Sequence, residues 1–313
     1  MSFYLGIDTS NYTTSLAIYN DEDKTMIQSK KPLPVKEGEK GIRQSDAVFH
    51  HTVQLTQLID DLFKDFNGDI SAVGVSSKPS NQDGSYMPCF LPGLLAAKAI
   101  SSSKKIPLCS FSHQDGHIAA VIYASKAFDL INKEFIAFHI SGGTTQVLKV
   151  KPCGKYFSTE IIASSLDLKA GQAIDRTGLM LGLNFPCGPE LEKLAVKSNT
   201  NFNNIHVFRK DGSFSLSGVE NKCKKMIEDN EKKEDIALYC IKYIEKVILD
   251  TCLDLEKTYG EIPMLFSGGV MSNSIIQKDI SGRFNAFFAE PSFSSDNAAG
   301  LAFLTSLLSG EKL

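Results

Sequence analysis

A chain of 313 residues exceeds the usual size of a single hydrophobic core, so two packed lobes are expected rather than one. With 42% hydrophobic and 22% charged residues, and no segment depleted of apolar side chains, the composition excludes lasting disorder and fits a globular protein that folds alone. A net charge of −3 and a pI near 6.1 exclude a basic nucleic-acid grip spread over the whole surface and leave only a local basic patch for that purpose.

The opening residues MSFYLGIDTS run into a strand pattern without a basic flank, an apolar core segment or a small-residue cleavage site. No secretory signal is therefore expected, and a cytoplasmic location is. No apolar run approaches the roughly 20 residues that span a bilayer, so no membrane association is expected. The seven cysteines, at 89, 109, 153, 187, 223, 240 and 252, are scattered and never spaced Cys-x-x-Cys. They read as reduced packing residues.

Residues 3–8 and 14–19 are apolar, β-branched runs separated by the polar turn Thr9, Ser10, Asn11, Tyr12, Thr13, which predicts a hairpin. After a further short strand, residues 30–41 carry two prolines, two glycines and mixed charges and are expected as an exposed, mobile loop. Helical periodicity resumes over 44–66, a buried strand follows at 72–76, then a helix at 90–102 and a strand at 106–111. This alternation marks an α/β fold. At residue 135 the opening pattern starts again, with a strand ending at Ser141, the turn Gly142, Gly143, Thr144, Thr145, and a strand over 146–150. The repetition predicts two lobes, each opening on a hairpin whose bend faces a shared cleft, although chance similarity of two hairpins explains it as well. The expected boundaries are 1–133 for the first lobe, completed by residues 294–313, and 134–293 for the second.

The later half is more helical. Residues 236–255 place Ile236, Cys240, Ile244, Val247 or Ile248, and Leu255 on one side of a long amphipathic helix. A short strand at 264–267 runs into Gly268, Gly269 and a helix, and a strand at 284–289 precedes a closing helix over 294–308.

His113 and His117 lie four apart in Ser-His-Gln-Asp-Gly-His, just after the 106–111 strand. On a helix that spacing puts both imidazoles on one face, where they can converge on one ion. Ser112 with Asp115 forms a capping box that would start such a helix. Two imidazoles leave a metal site incomplete, and Asp296, near the start of the closing helix, is the candidate third ligand. The plainer account makes the pair a hydrogen-bonded helical turn, and Asp296 an acid favoured by the helix dipole.

Gly142 with Gly143, and Gly268 with Gly269, each follow an apolar strand. Glycines there let backbone N–H groups approach a phosphate, and neighbouring hydroxyls add donors. Neither turn matches the Walker A or dinucleotide fingerprints, so it is their joint occurrence that points to a nucleotide. Asp175, in Gly-Gln-Ala-Ile-Asp-Arg, and Gly188, in Pro-Cys-Gly-Pro, bracket a helix. They would offer an acceptor to ribose hydroxyls and flat room for a base or sugar; the alternative is a water-facing acid beside a Pro/Gly stop. Lys222, Lys224 and Lys225 form the densest basic group and read as a solvated helix face, with no aromatic residues interleaved to make an RNA motif.

Taken together, GIDTSNYTTSLAI, HQDGHIAA, SGGTTQ, AGQAIDRTGLMLGLNFPCGPELEKLA, FSLSG, SGGVMSN and SSDNAAGLA resemble, in order and over nearly the whole chain, the TsaD/Gcp/Kae family. These proteins, formerly described as O-sialoglycoprotein endopeptidases, transfer threonylcarbamoyl from threonylcarbamoyl-adenylate to N6 of adenosine 37 in tRNAs that read codons beginning with A. The resemblance implies a two-lobed α/β architecture of the actin-like ATPase and sugar kinase (ASKHA) kind. It implies that His113, His117 and Asp296 bind one divalent ion, iron or zinc, which touches the threonylcarbamoyl or phosphate part of the donor. It implies further that Ser141, Gly142, Gly143, Asp175, Gly188 and Asn273 surround the adenine nucleotide. An acyl-type transfer follows, in which the ion polarises the carbamoyl carbonyl while the exocyclic amine attacks and AMP leaves, with no covalent enzyme intermediate. The implied partners are tRNA and the proteins of a threonylcarbamoyladenosine complex.

The departures from the family pattern fall near the expected cleft. Where its first turn reads Ser-Cys-Asp-Glu-Thr, this chain has Ser10, Asn11, Tyr12, Thr13, Thr14, without either acid. Thr144 replaces the histidine of Ser-Gly-Gly-His-Thr, Gln172 replaces the glutamate of Gly-Glu-Ala-Phe-Asp, and residues 78–85 lengthen a Gly-Pro-Gly-Leu loop. The pattern is that of a divergent paralogue. Three readings stand at this point: transfer to tRNA, carbamoyl transfer to a small-molecule acceptor, and a non-catalytic nucleotide-binding partner subunit. Retention of converging metal ligands separates the last from the others, and salt-sensitive tRNA binding separates the first two.

Overall fold

The computed structural model describes residues 1–10, 12–34, 42–202, 204–289, 293 and 297–309. They form two compact units, one of Met1–Asn132, Pro152–Phe157 and Ser292–Leu313, the other of Lys133–Lys151 and Ser158–Pro291. Asp296 lies outside the described residues.

The first unit is built on strands β1 (Phe3–Ser10), β2 (Thr13–Asn20), β3 (Met26–Pro32), β4 (Ile70–Lys78) and β5 (Leu108–Ser112), with helices α1 (Gln44–Phe63), α2 (Leu91–Lys104) and α3 (His113–Ala124) and the closing helix Ala298–Ser309. The sheet order is β3-β2-β1-β4-β5. β1 pairs antiparallel with β2, Phe3 opposite Asn20 and Ser10 opposite Thr13, and parallel with β4. Helices cover both faces of the central strands, so β1 reads as a continuous buried run from Tyr4 to Ser10 instead of alternating. β3 continues through Lys30, Lys31 and Pro32, where a loop is expected from composition. It is an edge strand, and an edge tolerates the lysines and a terminal proline that suggest a loop. Residues 35–41 of that expected loop lie outside the described residues.

The closing helix is nearly all buried, with Leu301, Leu304 and Ala302 fully so, and it packs at backbone distance. A Cβ at Gly6 would lie 2.0 Å from the carbonyl oxygen of Ala298, and one at Gly300 would lie 2.0 Å from that of Gly116 on α3. No side chain fits at those crossings.

The second unit is built on β6 (Phe135–Ile140), β7 (Thr145–Cys153), β8 (Tyr156–Ser164), β9 (Arg209–Lys210), β10 (Ser213–Phe214), β11 (Met264–Ser267) and β12 (Ala286–Phe288), with α4 (Ala170–Met180), α5 (Gly188–Ala195), α6 (Ser217–Glu228), α7 (Lys233–Tyr259) and α8 (Ser274–Ser281); the end of β7 and the start of β8, within Pro152–Phe157, belong to the first unit. Its main sheet has the order β12-β11-β6-β7-β8. Phe266 on β11 stands opposite Phe138 and Phe288, with ring centroids 4.7 and 4.8 Å away, so one aromatic stack runs across three parallel strands. Strand β8 has no counterpart in the sequence reading, because its burial alternates imperfectly and Ser158, Thr159, Glu160 and Ser164 make it polar at an edge. Helix α7 buries Ile236, Cys240, Ile244, Val247 and Ile248 of the expected stripe, while Leu255 near its end is only half-buried. All seven cysteines are free thiols, five of them buried. Among the described residues no helix is long and apolar enough to cross a membrane.

Gly300→Ala should force the closing helix away from α3 and lower stability by about 1–3 kcal/mol, read as a drop in melting temperature, and an unchanged melt would contradict the close crossing. A second expectation concerns Glu245 on α7, buried beside Lys242 and Asp279. Burial and the neighbouring Asp279 outweigh Lys242 and push its carboxyl up to about 7 from 4.5. A raised carboxyl favours the fold in its protonated form, so that contribution is complete below pH 4.5 and is lost as pH rises through about 7. Glu245→Gln should flatten the fall in melting temperature between pH 5.5 and 8, whereas parallel curves for the two proteins would count against it.

Candidate functional site

In the first unit, β5 ends at Ser112, whose hydroxyl accepts the backbone N–H of Asp115 at 3.1 Å while the Asp115 carboxylate accepts that of Ser112 at 3.0 Å. The capping box expected from sequence therefore starts α3 and puts His113 and His117 on its first two turns. Their ring centroids lie 4.6 Å apart at an interplanar angle of 70°. His113 is partly exposed and His117 is buried. Among the described residues no three His, Cys, Asp or Glu side chains gather to hold an ion.

Two carboxylates that the sequence reading did not single out as site residues fix this helix start. Asp8, at the end of β1, is only 1% exposed. Its Oδ2 accepts from Ser10 Oγ at 2.6 Å, from Asn297 Nδ2 at 3.2 Å and meets His113 Nδ1 at 3.2 Å; its Oδ1 accepts from Ser76 Oγ. Burial alone would raise its proton affinity, but the neighbouring His113 ring and the hydrogen bonds from His113, Ser10 and Ser76 hold it below the usual carboxylate range. The signal for Asp8 is an acid directly after the apolar run Phe3–Ile7 of a buried strand, a position where charge is rare unless paired. Asp115, the second carboxylate, also accepts from Asn81 Nδ2 at 2.9 and 3.0 Å and from Tyr156 Oη at 2.9 Å. Burial and this carboxylate push the Tyr156 phenol well above its ordinary range, so it stays a proton donor. Asn81 belongs to the 78–85 stretch that departs from the family pattern.

Asn297, the residue after Asp296, packs on the same helix: a Cβ at Gly116 would lie 3.1 Å from its carbonyl oxygen and 3.2 Å from its Cβ. Behind the first hairpin, Thr14 Oγ1 donates to Gln54 Oε1 at 2.7 Å and lies 2.8 Å from His51 Nδ1 on α1. Burial pushes His51 down to about 4, leaving it neutral.

In the second unit, Ser141, Gly142 and Gly143 form the bend between β6 and β7. It is closed by the Ser141 N–H donating to Thr144 O at 2.7 Å and the Thr144 N–H donating to Ser141 Oγ at 3.1 Å. The start of α4 lies directly against it, since the Gly171 N–H donates to Ser141 O at 3.1 Å and a Cβ at Gly171 would lie 2.6 Å from the Gly142 nitrogen. Gln172 accepts the Lys169 N–H at 3.3 Å and so serves as the N-terminal cap partner of α4 without the family's charge. Gly268, at φ +94°, lets β11 pass the backbone of Ile140, whose oxygen would lie 2.4 Å from an added Cβ. Around Gly142 and Gly269 no atom of the described residues comes within 4 Å of an added Cβ.

The other predicted residues are spread over the same unit. Asp175 on α4 accepts the Cys187 N–H at 2.8 Å, and burial pushes its carboxyl up despite that bond. Gly188 is the first residue of α5. Cys187 beside it is pushed up to about 11 by burial, Asp175 and Glu190, which leaves it a protonated thiol and no nucleophile. Asn273 is buried and caps α8, its side chain accepting the Ile275 and Ile276 N–H groups at 3.1 and 3.2 Å. Lys222, Lys224 and Lys225 are exposed on α6, as a solvated face requires.

Residues 25–303 match the model of a family described as TsaD: tRNA N6-adenosine threonylcarbamoyltransferase. The protein of that name from Buchnera aphidicola subsp. Schizaphis graminum is 30% identical over 97% of this chain and 91% of its own length. The one from Bacillus subtilis (strain 168) is 28% identical over 96% of this chain and 88% of its own. Among solved structures, full-length HypF in the phosphate- and nucleotide-bound form superposes with a TM-score of 0.63 at 13% identity, covering 98% of this chain and 55% of that one. A ROK family glucokinase from Streptomyces griseus in complex with glucose and AMPPNP gives 0.52 at 10% identity, with 98% and 99% covered. At such identities the likeness is one of fold, and the fold is the ASKHA architecture expected from the sequence.

Gly171→Ala, which drives a methyl into the Ser141–Gly142 backbone, should cost about 1–3 kcal/mol in denaturant unfolding. Gly142→Ala should stay within about 0.5 kcal/mol of the parent protein. The reverse order would contradict the packing of α4 on the bend.

Proposed function

The chain belongs to the tRNA N6-adenosine threonylcarbamoyltransferase family, and on that premise we propose that His113 and His117 hold one divalent cation while the bend at Ser141, Gly142 and Gly143 receives the phosphate of an adenylate donor. It is a transferase enzyme, and its reaction is the passage of a threonylcarbamoyl group to N6 of adenosine 37 of tRNA. The observation that carries the metal reading is the pair of imidazoles on one face of α3 with centroids 4.6 Å apart. Two imidazoles and a carboxylate suit a borderline cation such as iron or zinc. Asp296 is the proposed third ligand; supporting it is the packing of its neighbour Asn297 against Gly116, between the two histidines in the chain.

A bound cation of this kind supplies Lewis-acid polarisation of the donor's carbonyl or phosphate oxygens. The other tasks fall to the chain. Gly142 leaves open space in front of the bend, so phosphate oxygens can reach main-chain N–H groups that a side chain would screen. Asp175, with its raised proton affinity, is proposed as the partner of a ribose hydroxyl, and Gly188 as the flat surface beside the base or sugar. Asn273 spends its side-chain oxygen on capping α8, so its proposed contribution is to hold the helix that follows the Gly268–Gly269 turn. The proposed partners are tRNA as acceptor and the protein components of a threonylcarbamoyladenosine complex.

The test is AMP release from threonylcarbamoyl-adenylate, with and without tRNA, by the wild type and two variants. His113→Ala should lose both metal and turnover while keeping its melting temperature within a few degrees, and full activity in that variant would remove the pair from the site. Gly142→Ala should keep its fold but bind AMP more weakly, by roughly tenfold, the equivalent of about 1.4 kcal/mol.

A further inference from the structure

A histidine that ligates a metal through one ring nitrogen needs that nitrogen bare, and which nitrogen is bare is set by the partner of the other. For His113 that partner is a buried carboxylate: Nδ1 lies 3.2 Å from Oδ2 of Asp8, which is 1% exposed. A buried carboxylate is an acceptor only, so the hydrogen between them sits on Nδ1 and the Nε2 lone pair is left to point elsewhere. The same oxygen accepts from Asn297 Nδ2 at 3.2 Å and from Ser10 Oγ at 2.6 Å, and Ser76 donates to the other. Asp8 cannot turn away from His113 without giving up these bonds.

We propose that Asp8 is a positioning residue for the metal centre: it locks His113 in the Nδ1–H tautomer with Nε2 presented to the cation, and through Asn297 it anchors the chain directly after Asp296 to the same oxygen. The proposal rests on the reading of His113 as a ligand given above. It assigns Asp8 a task distinct from burying β1, because an isosteric amide keeps the size of the side chain and removes its charge. An amide at position 8 either turns its N–H to His113 and forces the Nε2–H tautomer, or turns its oxygen and offers a neutral, weaker acceptor. Both outcomes make Nε2 a poorer ligand.

Two measurements on the full chain test this. Histidine ring 15N spectra of the metal-free wild type, assigned with His113→Gln, should show the Nδ1–H tautomer for His113, and the Nε2–H tautomer there would overturn the proposal without recourse to any Asp8 variant. Titration with Co2+, followed by its visible absorption, should give an affinity in Asp8→Asn lower by roughly 10–100-fold, the usual effect of removing a carboxylate behind a ligating histidine. Circular dichroism and melting of the same samples separate this from unfolding. Cobalt uptake that Asp8→Asn leaves unchanged overturns the proposal alone. Absence of uptake by the wild type overturns the metal reading and the proposal with it.

Discussion

A carboxylate taken out of water is unfavourable by several kcal/mol unless donors surround it, and Asp8 is such a group at the end of the central strand of its sheet. Its four partners come from β1 itself, from β4, from the first residue of α3 and from Asn297, which lies 289 positions away in the chain. The charge is tolerable only when all four segments are in place. That requirement sets the ring of His113 and the residue after Asp296 on one oxygen, and so makes the start of α3 a defined place.

Packing around that place leaves little freedom. Gly6 and Gly300 let the closing helix lie against β1 and α3 at distances no side chain allows, so the helix cannot shift without opening the sheet behind it. Asp115 ties the same end of α3 to Asn81 and Tyr156 and serves as its cap at once. The two histidines are thus carried on an element held by two buried carboxylates, and each carboxylate is satisfied by residues far apart in sequence. As proposed ligands on such an element, the two histidines would need no rearrangement to meet an ion.

The second unit uses glycine for a different purpose. At Gly171 and Gly268 it brings a helix start and a strand end against the backbone that carries the Ser141–Gly142 bend, while at Gly142 and Gly269 it leaves space unfilled. The chain's departures from its family have physical roles there and in the first unit. Gln172 retains the cap of α4 without a charge, and Asn81, in the lengthened loop, gives Asp115 a partner. Nothing in the structure assigns Thr144 a chemical task beyond closing the bend through its main chain.

Periodicity and spacing along the chain were enough for the α/β alternation, the hairpins, the long helix α7, the capping box at Ser112 and the two glycine turns, because each of these is decided by neighbours within a few residues. The His113–His117 pair was legible for the same reason, being one turn of helix. Asp8 was not, nor was the edge strand β8. A strand pattern records that a segment is buried, but it does not record which distant donors make a buried charge bearable or which edge completes a sheet. Only the folded chain brings positions 8, 76, 113 and 297 to one carboxylate, since hydrogen bonds of that kind depend on atomic distances that no local sequence pattern encodes.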